Sequence, residues 1–289
     1  MSEQRTVRLI LPQWQGGVNP DYLFGAELLA QVLPPDDQVE TIHVPVSTNL
    51  AASQTATDGV AGKPVLLQQM AETKSILDVK QPDRVITAGG DCSISEAPFD
   101  YLSGKYGERL GVLWLDVHPD IADPSTSQHV HEMVVANLLG KGDPDFSKAV
   151  ANPILPRQLM YGGLDHAALR PMDQAVDALG IRYATPEDLA SDSQSILDWL
   201  AAEQLTHLAV HFDLDVLTPA DFRSILPAQP HTAISDFGAA VGQMALRQIV
   251  RVMHDVSQQA DIVGFSIAEH MPWDAINLRH ALREIAIFK

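Results

Sequence analysis

The stretch GVLWLDVHPD, residues 111–120, runs a small and apolar segment into Asp116, His118 and Asp120. An unbroken apolar run with no polar alternation is the pattern of a strand covered on both faces. The pattern recurs outward in both directions: VRLIL at 7–11, residues 41–46, RVITA at 84–88, RQLMYG at 157–162, LAVHFD at 208–213 and DIVGFSIAE at 261–269. Helix-period segments fill the gaps at 21–32, 64–78, 95–106, 130–140, 165–179, 193–204, 235–257 and 274–287. Strands alternating with helices give a parallel sheet with helices on both faces. The expected fold class is therefore α/β: three layers, α/β/α, around a mostly parallel sheet of about eight strands, as a single domain over residues 1–289. The loosest stretch, TNLAASQTATDGVAGKP at 48–64, reads as a surface loop, with a loop at the site mouth or a subunit contact as the alternative.

Composition narrows the function. The chain has 19 Lys+Arg against 37 Asp+Glu, a formal charge of −18. Such acidity argues against nucleic acid or an anionic membrane as partner and favours metal ions or small cations. The one cysteine excludes an intrachain disulfide and an all-cysteine zinc site, and fits a reducing cytoplasm. The N-terminal segment carries charges at Glu3, Arg5 and Arg8 and lacks the apolar core of a secretory signal. No run approaches the ~18–20 apolar residues a bilayer requires. A soluble cytoplasmic protein is expected. There is no GxGxxG, Walker or GxSxG motif to support nucleotide binding or a serine nucleophile.

Ligands of open parallel sheets bind beyond the carboxyl ends of the strands. After RVITA comes GGDCS at 89–93, and Asp116, His118 and Asp120 follow GVLWL. LAVHF leads into Asp213 and Asp215, and DIVGFSIA into Glu269. Residues two apart in an extended segment share a side, so Asp116, His118 and Asp120 converge, as do Asp213 and Asp215. Ionisable groups at buried strand ends are costly unless cations neutralise them. The carboxylates, the imidazole and the thiol of Cys92 are too many anionic ligands for one zinc and suit two divalent ions.

In order, GGDCS, DVHPD, HEMV, DLDVLTP and EHMP span residues 85–272, and this set resembles the arginase/agmatinase (ureohydrolase) family. The resemblance implies a three-layer α/β fold, two manganese ions, a homo-oligomer, and hydrolysis of a guanidino or amidino C–N bond. It implies that Asp116 and Asp213 bridge both ions. Asp120 would bind the first ion and hydrogen-bond the nucleophile, and His118 and Asp215 would bind the second. Cys92 stands where the family has a histidine on the first ion. His131 matches a proton shuttle, and Glu269 the acid that holds the substrate guanidinium. The chemistry is coherent in itself. A guanidinium carbon is a poor electrophile, metal ions supply hydroxide at neutral pH, and a nearby histidine protonates the leaving amine.

The sequence also departs from the family pattern. A thiolate is a soft ligand, so the Cys92 site favours zinc, cobalt or nickel over manganese. In STSQHVHEM (125–133), Ser127, Gln128 and His129 replace the residues that hold the amino-acid end of arginine, which argues against free L-arginine as substrate. His129 is a candidate substrate contact, against the alternative of an exposed loop histidine. Thr218 and the segment FRSILPAQP (222–230) also differ from the family. His211 reads as a supporting or a core histidine. The leading reading is a binuclear hydrolase acting on a small cationic guanidino-type substrate. The alternatives are a metal-poor, non-catalytic scaffold or small-ligand-binding protein, and a single-zinc deacetylase.

Overall fold

A computed structural model of the chain describes residues 4–288, so Glu3 lies outside the described residues. Ten strands follow one another: β1 (Thr6–Leu11), β2 (Glu40–His43), β3 (Ala56–Thr57), β4 (Val60–Ala61), β5 (Arg84–Gly89), β6 (Leu110–Leu115), β7 (Leu159–Gly162), β8 (Arg182–Ala184), β9 (His207–Asp213) and β10 (Asp261–Ala268). Eight of them form one sheet in the order β2-β1-β5-β10-β9-β6-β7-β8. Every pairing within it is parallel. The loose stretch after residue 48 holds a short helix, Leu50–Gln54, and the antiparallel pair β3–β4. It is tied down where Ala61 N–H donates to Gln128 O at 2.9 Å and where the buried Lys63 Nζ pairs with Asp143 at 2.9 Å and Asp145 at 2.6 Å.

The stretch that decides the fold behaves as a doubly covered strand. All of β6 is buried. Val112 and Trp114 pack into one core, and Leu113 and Leu115 into the other. That is the period-two alternation of a sheet sandwiched between helical layers. The edges are different: β2 is mostly exposed, and in β8 only Ala184 is buried. Short polar edges resist pairing with a second chain. They also hide β8 from a reading based on apolar runs.

Three segments depart from the expected helices. Of 235–257 only Leu246–Ser257 is α-helical, with a 3-10 turn, Ile234–Asp236, at the start. Gly238 has φ +78°, and a Cβ on Gly242 would lie 2.0 Å from Asp215 O, so this stretch lies close against the chain following β9. Met244 N–H donates to Val216 O at 3.1 Å, and Thr218 N–H to Met244 O at 2.8 Å. The 165–179 segment breaks into 3-10 turns at His166–Ala168 and Pro171–Asp173 and a single helical turn, Ala175–Ala178. Pro171 has no N–H with which to continue a helix. Residues 130–140 form a 3-10 turn, Val130–Met133, and then the helix Val134–Leu138.

The sheet order has a direct consequence for the site. β5, β10, β9 and β6 are consecutive neighbours at the sheet centre. Their carboxyl ends all point the same way, so the residues that follow them collect in one place. The crossing after β5 is tight: a Cβ on Gly90 would lie 1.6 Å from Gln13 O. Gly90→Ala is expected to cost roughly 3 kcal/mol, the upper end for overpacking, because the obstacle is backbone. A urea midpoint equal to the parent's would contradict this.

Candidate metal centre

Each site residue is placed by a strand end. Cys92 opens a 3-10 turn after β5, with Asp91 capping it by accepting from Ser93 N–H at 3.0 Å. Asp116 follows β6 directly and is buried, with Trp114 Nε1–H donating to its Oδ2 at 3.1 Å and His118 N–H to its Oδ1 at 2.6 Å. Asp213 ends β9 and accepts from Asp215 N–H at 2.7 Å, which turns the second carboxylate back beside the first. Glu269 follows β10. Its φ of +62° and the +47° of Asp120 lie in the left-handed region, uncommon away from glycine. Glu269 is held there by its N–H, which donates to Gly90 O at 2.6 Å.

The side chains converge. Cys92 Sγ lies 2.9 Å from Asp213 Oδ2 and 3.5 Å from Glu269 Oε1. His118 Nδ1 lies 3.2 Å from Asp215 Oδ2 and 3.6 Å from Asp116 Oδ1. Among the described residues, three sets have one potential ligand atom per residue, all within 4.8 Å of one another: Cys92, Asp116, Asp120 and His211; Cys92, Asp213 and Glu269; Asp116, His118 and Asp215. Cys92 and Asp116 each belong to two sets, so the sets adjoin.

The protein compensates only part of the charge in this space. Asp116, Asp120, Asp213, Asp215 and Glu269 are all buried. Among the described residues, His118 is the ion-pair partner of Asp116 and Asp215, and the other three carboxylates have no ion pair. Asp120 Oδ2, Asp215 Oδ1, His118 Nε2 and His211 Nε2 are buried without a hydrogen-bond partner. Orphaned acceptors and clustered carboxylates are the donor set a divalent cation satisfies. The residues present fit metal ions.

The protonation tendencies say the same. Burial, with Asp120, Asp213 and Glu269 nearby, pushes the Cys92 thiol well up. Burial and neighbouring carboxylates also raise Asp120, Asp213 and Asp215. Glu269 rises to about 7, chiefly by burial, against the lowering effect of His131 and Tyr22. Burial opposes the charged ring of His118, yet Asp215 and Asp116 prevail and hold its pKa well above the usual value. Burial pushes His211 down to about 3. Asp116 alone of the five is lowered: burial opposes this, but its bond to His118 and the charge of that ring outweigh burial; without a cation the other four favour the protonated form.

A sequence model of the arginase family matches residues 35–281. The chain belongs to the arginase family. Arginase 2 of Arabidopsis thaliana, a chloroplastic/mitochondrial protein, is 22% identical over 208 residues, 72% of this chain and 53% of that one. The chain spans about half the length of the curated relatives it matches. Entamoeba histolytica arginase, solved in complex with L-ornithine, superposes with a TM-score of 0.72 at 19% identity, covering 94% of this chain and 93% of that one. Formimidoylglutamase of Bacillus subtilis superposes at 0.65 and 14% identity, covering 94% and 81%. At these identities the structural likeness shows the arginase fold.

The mouth of this arginase-family site is a cavity of about 260 Å³. His129 and His131 line it, their rings 5.6 Å apart. His131 Nδ1 lies 2.8 Å from Gly16 O, a carbonyl that only accepts, so Nδ1 carries the proton of the neutral ring and Nε2 is left basic. Other lining residues went unread in the sequence. Tyr22 OH donates to Glu269 Oε2 at 2.7 Å. Arg170 reaches the wall from the broken 165–179 segment, where it pairs with Glu132 at 3.0 Å and Asp173 at 3.0 Å. Phe237 and Ala239 come from the stretch expected to be helix. Nothing in the local sequence marks these as pocket residues, because each arrives from a different part of the chain. Among the described residues, no helix is long and apolar enough to cross a membrane.

Proposed function

We propose that this chain is a binuclear metal-dependent hydrolase that cleaves a C–N bond of a small cationic guanidino or amidino compound. One observation carries the reading: the adjacent ends of β5, β10, β9 and β6 bring Cys92, Asp116, Asp213 and Glu269 together, buried and in adjoining ligand sets. Cys92, Asp116, Asp120 and Asp213 would hold the first ion, and Asp116, His118, Asp213 and Asp215 the second. Carboxylate and imidazole suit manganese at the second position, and the thiol draws a softer ion such as zinc, cobalt or nickel to the first. Bound ions would supply a water of lowered pKa as nucleophile and would stabilise the oxygen it contributes to the tetrahedral intermediate.

The protein's own groups do the rest. Glu269 holds the cationic substrate by charge-assisted hydrogen bonds, and a bound cation favours its ionised form. Tyr22 fixes the Glu269 carboxylate by the bond to Oε2. Asp120 accepts a hydrogen bond from the attacking water. His131, with Nδ1 anchored on Gly16 O, presents Nε2 to carry a proton to the leaving amine. His129 contacts the substrate from the rim. On the same reading, residues 1–289 act as one domain, in the cytoplasm, as a homo-oligomer. The buried, unpaired Cys92 is consistent with a reducing compartment.

The test is metal-dependent release of urea, ammonia or a substituted relative from a panel of guanidino and amidino compounds, free L-arginine included. Turnover of a panel member that Glu269→Gln lowers by about 100-fold, roughly 2.7 kcal/mol, is expected. No turnover with any of several divalent metals would favour the non-catalytic scaffold.

A further inference from the structure

His211 lies inside β9, in the apolar run before Asp213, yet it is fully buried and polar. Its neighbours in the sheet register are Trp114 on β6 and Ser266 on β10. Two residues further along those strands come Asp116, Asp213 and Ala268, so His211 lies one pleat below the carboxylates and on their side. The ring is clamped. It stacks on Trp114 with centroids 3.6 Å apart and planes 12° apart, and Nδ1 meets Ser95 Oγ at 2.7 Å. Nε2 has no partner. A ring nitrogen of His211 lies within 4.8 Å of ligand atoms of Cys92, Asp116 and Asp120. Trp114, the surface it stacks on, also donates to Asp116 at 3.1 Å.

A buried imidazole with one nitrogen fixed by a hydroxyl, the other free, and a ring nitrogen beside a thiol and two carboxylates is arranged as a metal ligand. The hydrogen bond on the far nitrogen sets the tautomer and the aim of the near one. We propose that His211 Nε2 is the imidazole ligand of an ion seated among Cys92, Asp116 and Asp120, making that position a sulfur–nitrogen–oxygen site that selects zinc or a similar ion over manganese. This rests on the binuclear reading above and adds a ligand and a metal preference to it. The competing role for His211 is a bond to buried water shared with Thr87 Oγ1 and Ser266 Oγ. These two groups are also unpartnered and lie in the same cross-strand row.

The deciding experiment is zinc-edge X-ray absorption on the full-length, metal-stripped chain reloaded with one equivalent of zinc. It is paired with Co2+ titration of the parent and of His211→Phe, a substitution that keeps a ring against Trp114. Sulfur and imidazole on the same zinc are expected. In the titration, the near-ultraviolet thiolate-to-cobalt band is expected to form at least about 100-fold more weakly in His211→Phe. Zinc bound through sulfur without imidazole, or an unchanged cobalt affinity in a folded His211→Phe, overturns the proposal and leaves the binuclear reading standing. Metal bound without any sulfur overturns the proposal and the assignment of Cys92 to the first ion, and leaves the position of Asp116, His118 and Asp215 standing. No metal bound to the parent overturns both. If His211→Phe does not fold, the absorption spectrum of the parent decides alone.

Discussion

Asp116→Asn is expected to cut turnover by about three orders of magnitude, roughly 4 kcal/mol of transition-state stabilisation, and to lower bound metal below one ion per chain. The reason lies in its position. The carboxylate belongs both to the set with Cys92 and Asp120 and to the set with His118 and Asp215. Asparagine keeps the size and one acceptor for the Trp114 or His118 N–H, but it removes the charge that the two ions would share. The parent's circular dichroism should therefore survive while metal content and activity fall together. Activity near the parent's, with two ions still bound, would show that Asp116 is not a shared ligand.

Metal removal is the second large effect, and it carries a pH signature. In the metal-free chain burial holds Glu269 near 7, above its ordinary 4.5. Between these values the folded chain binds a proton that the unfolded chain has lost, so this stability is present below about 4.5 and is lost as pH rises through 7. Glu269 alone contributes on the order of 3 kcal/mol. Asp120, Asp213 and Asp215, raised chiefly by burial, slope the same way. Nearby cations hold these carboxylates ionised and remove the penalty. The gap in melting temperature between metal-loaded and stripped protein should therefore widen from pH 5 to pH 8. Buried Glu96, near 8, falls outside the ligand sets and cancels in that difference; His211, near 3, lies in a ligand set but is neutral with or without metal, so it cancels as well. A gap that is constant or narrows with pH would mean that cations do not neutralise this cluster.

The fold and the strand-end part of the candidate site were legible for one physical reason. An ionisable residue directly after a doubly buried strand has few structural uses, so Asp116, Asp213 and Glu269 stood out against the runs before them. Residues that break the apolar pattern from inside, or that arrive from elsewhere, were not legible. His211 sits within LAVHF, where the sequence leaves it as either a supporting or a core histidine, and the register places it on the side of the cluster. Tyr22, Arg170 and Phe237 reach the cavity by tertiary packing. Strand β8 was invisible because an edge needs no apolar run. Residues 235–245 carried helical spacing, but the close approach of Gly242 to the Asp215 carbonyl overrode it.

Two cations at the ends of the central strands are the centre of the proposed chemistry. Anomalous diffraction, recorded at the manganese and zinc edges from crystals of the full chain grown with both metals, tests it directly. The expected result is two peaks per chain, one bounded by Cys92, Asp116 and Asp120 and the other by Asp116, His118 and Asp215. Crystals grown in excess metal that show no peak at either position would contradict the account and leave a metal-free arginase-like scaffold.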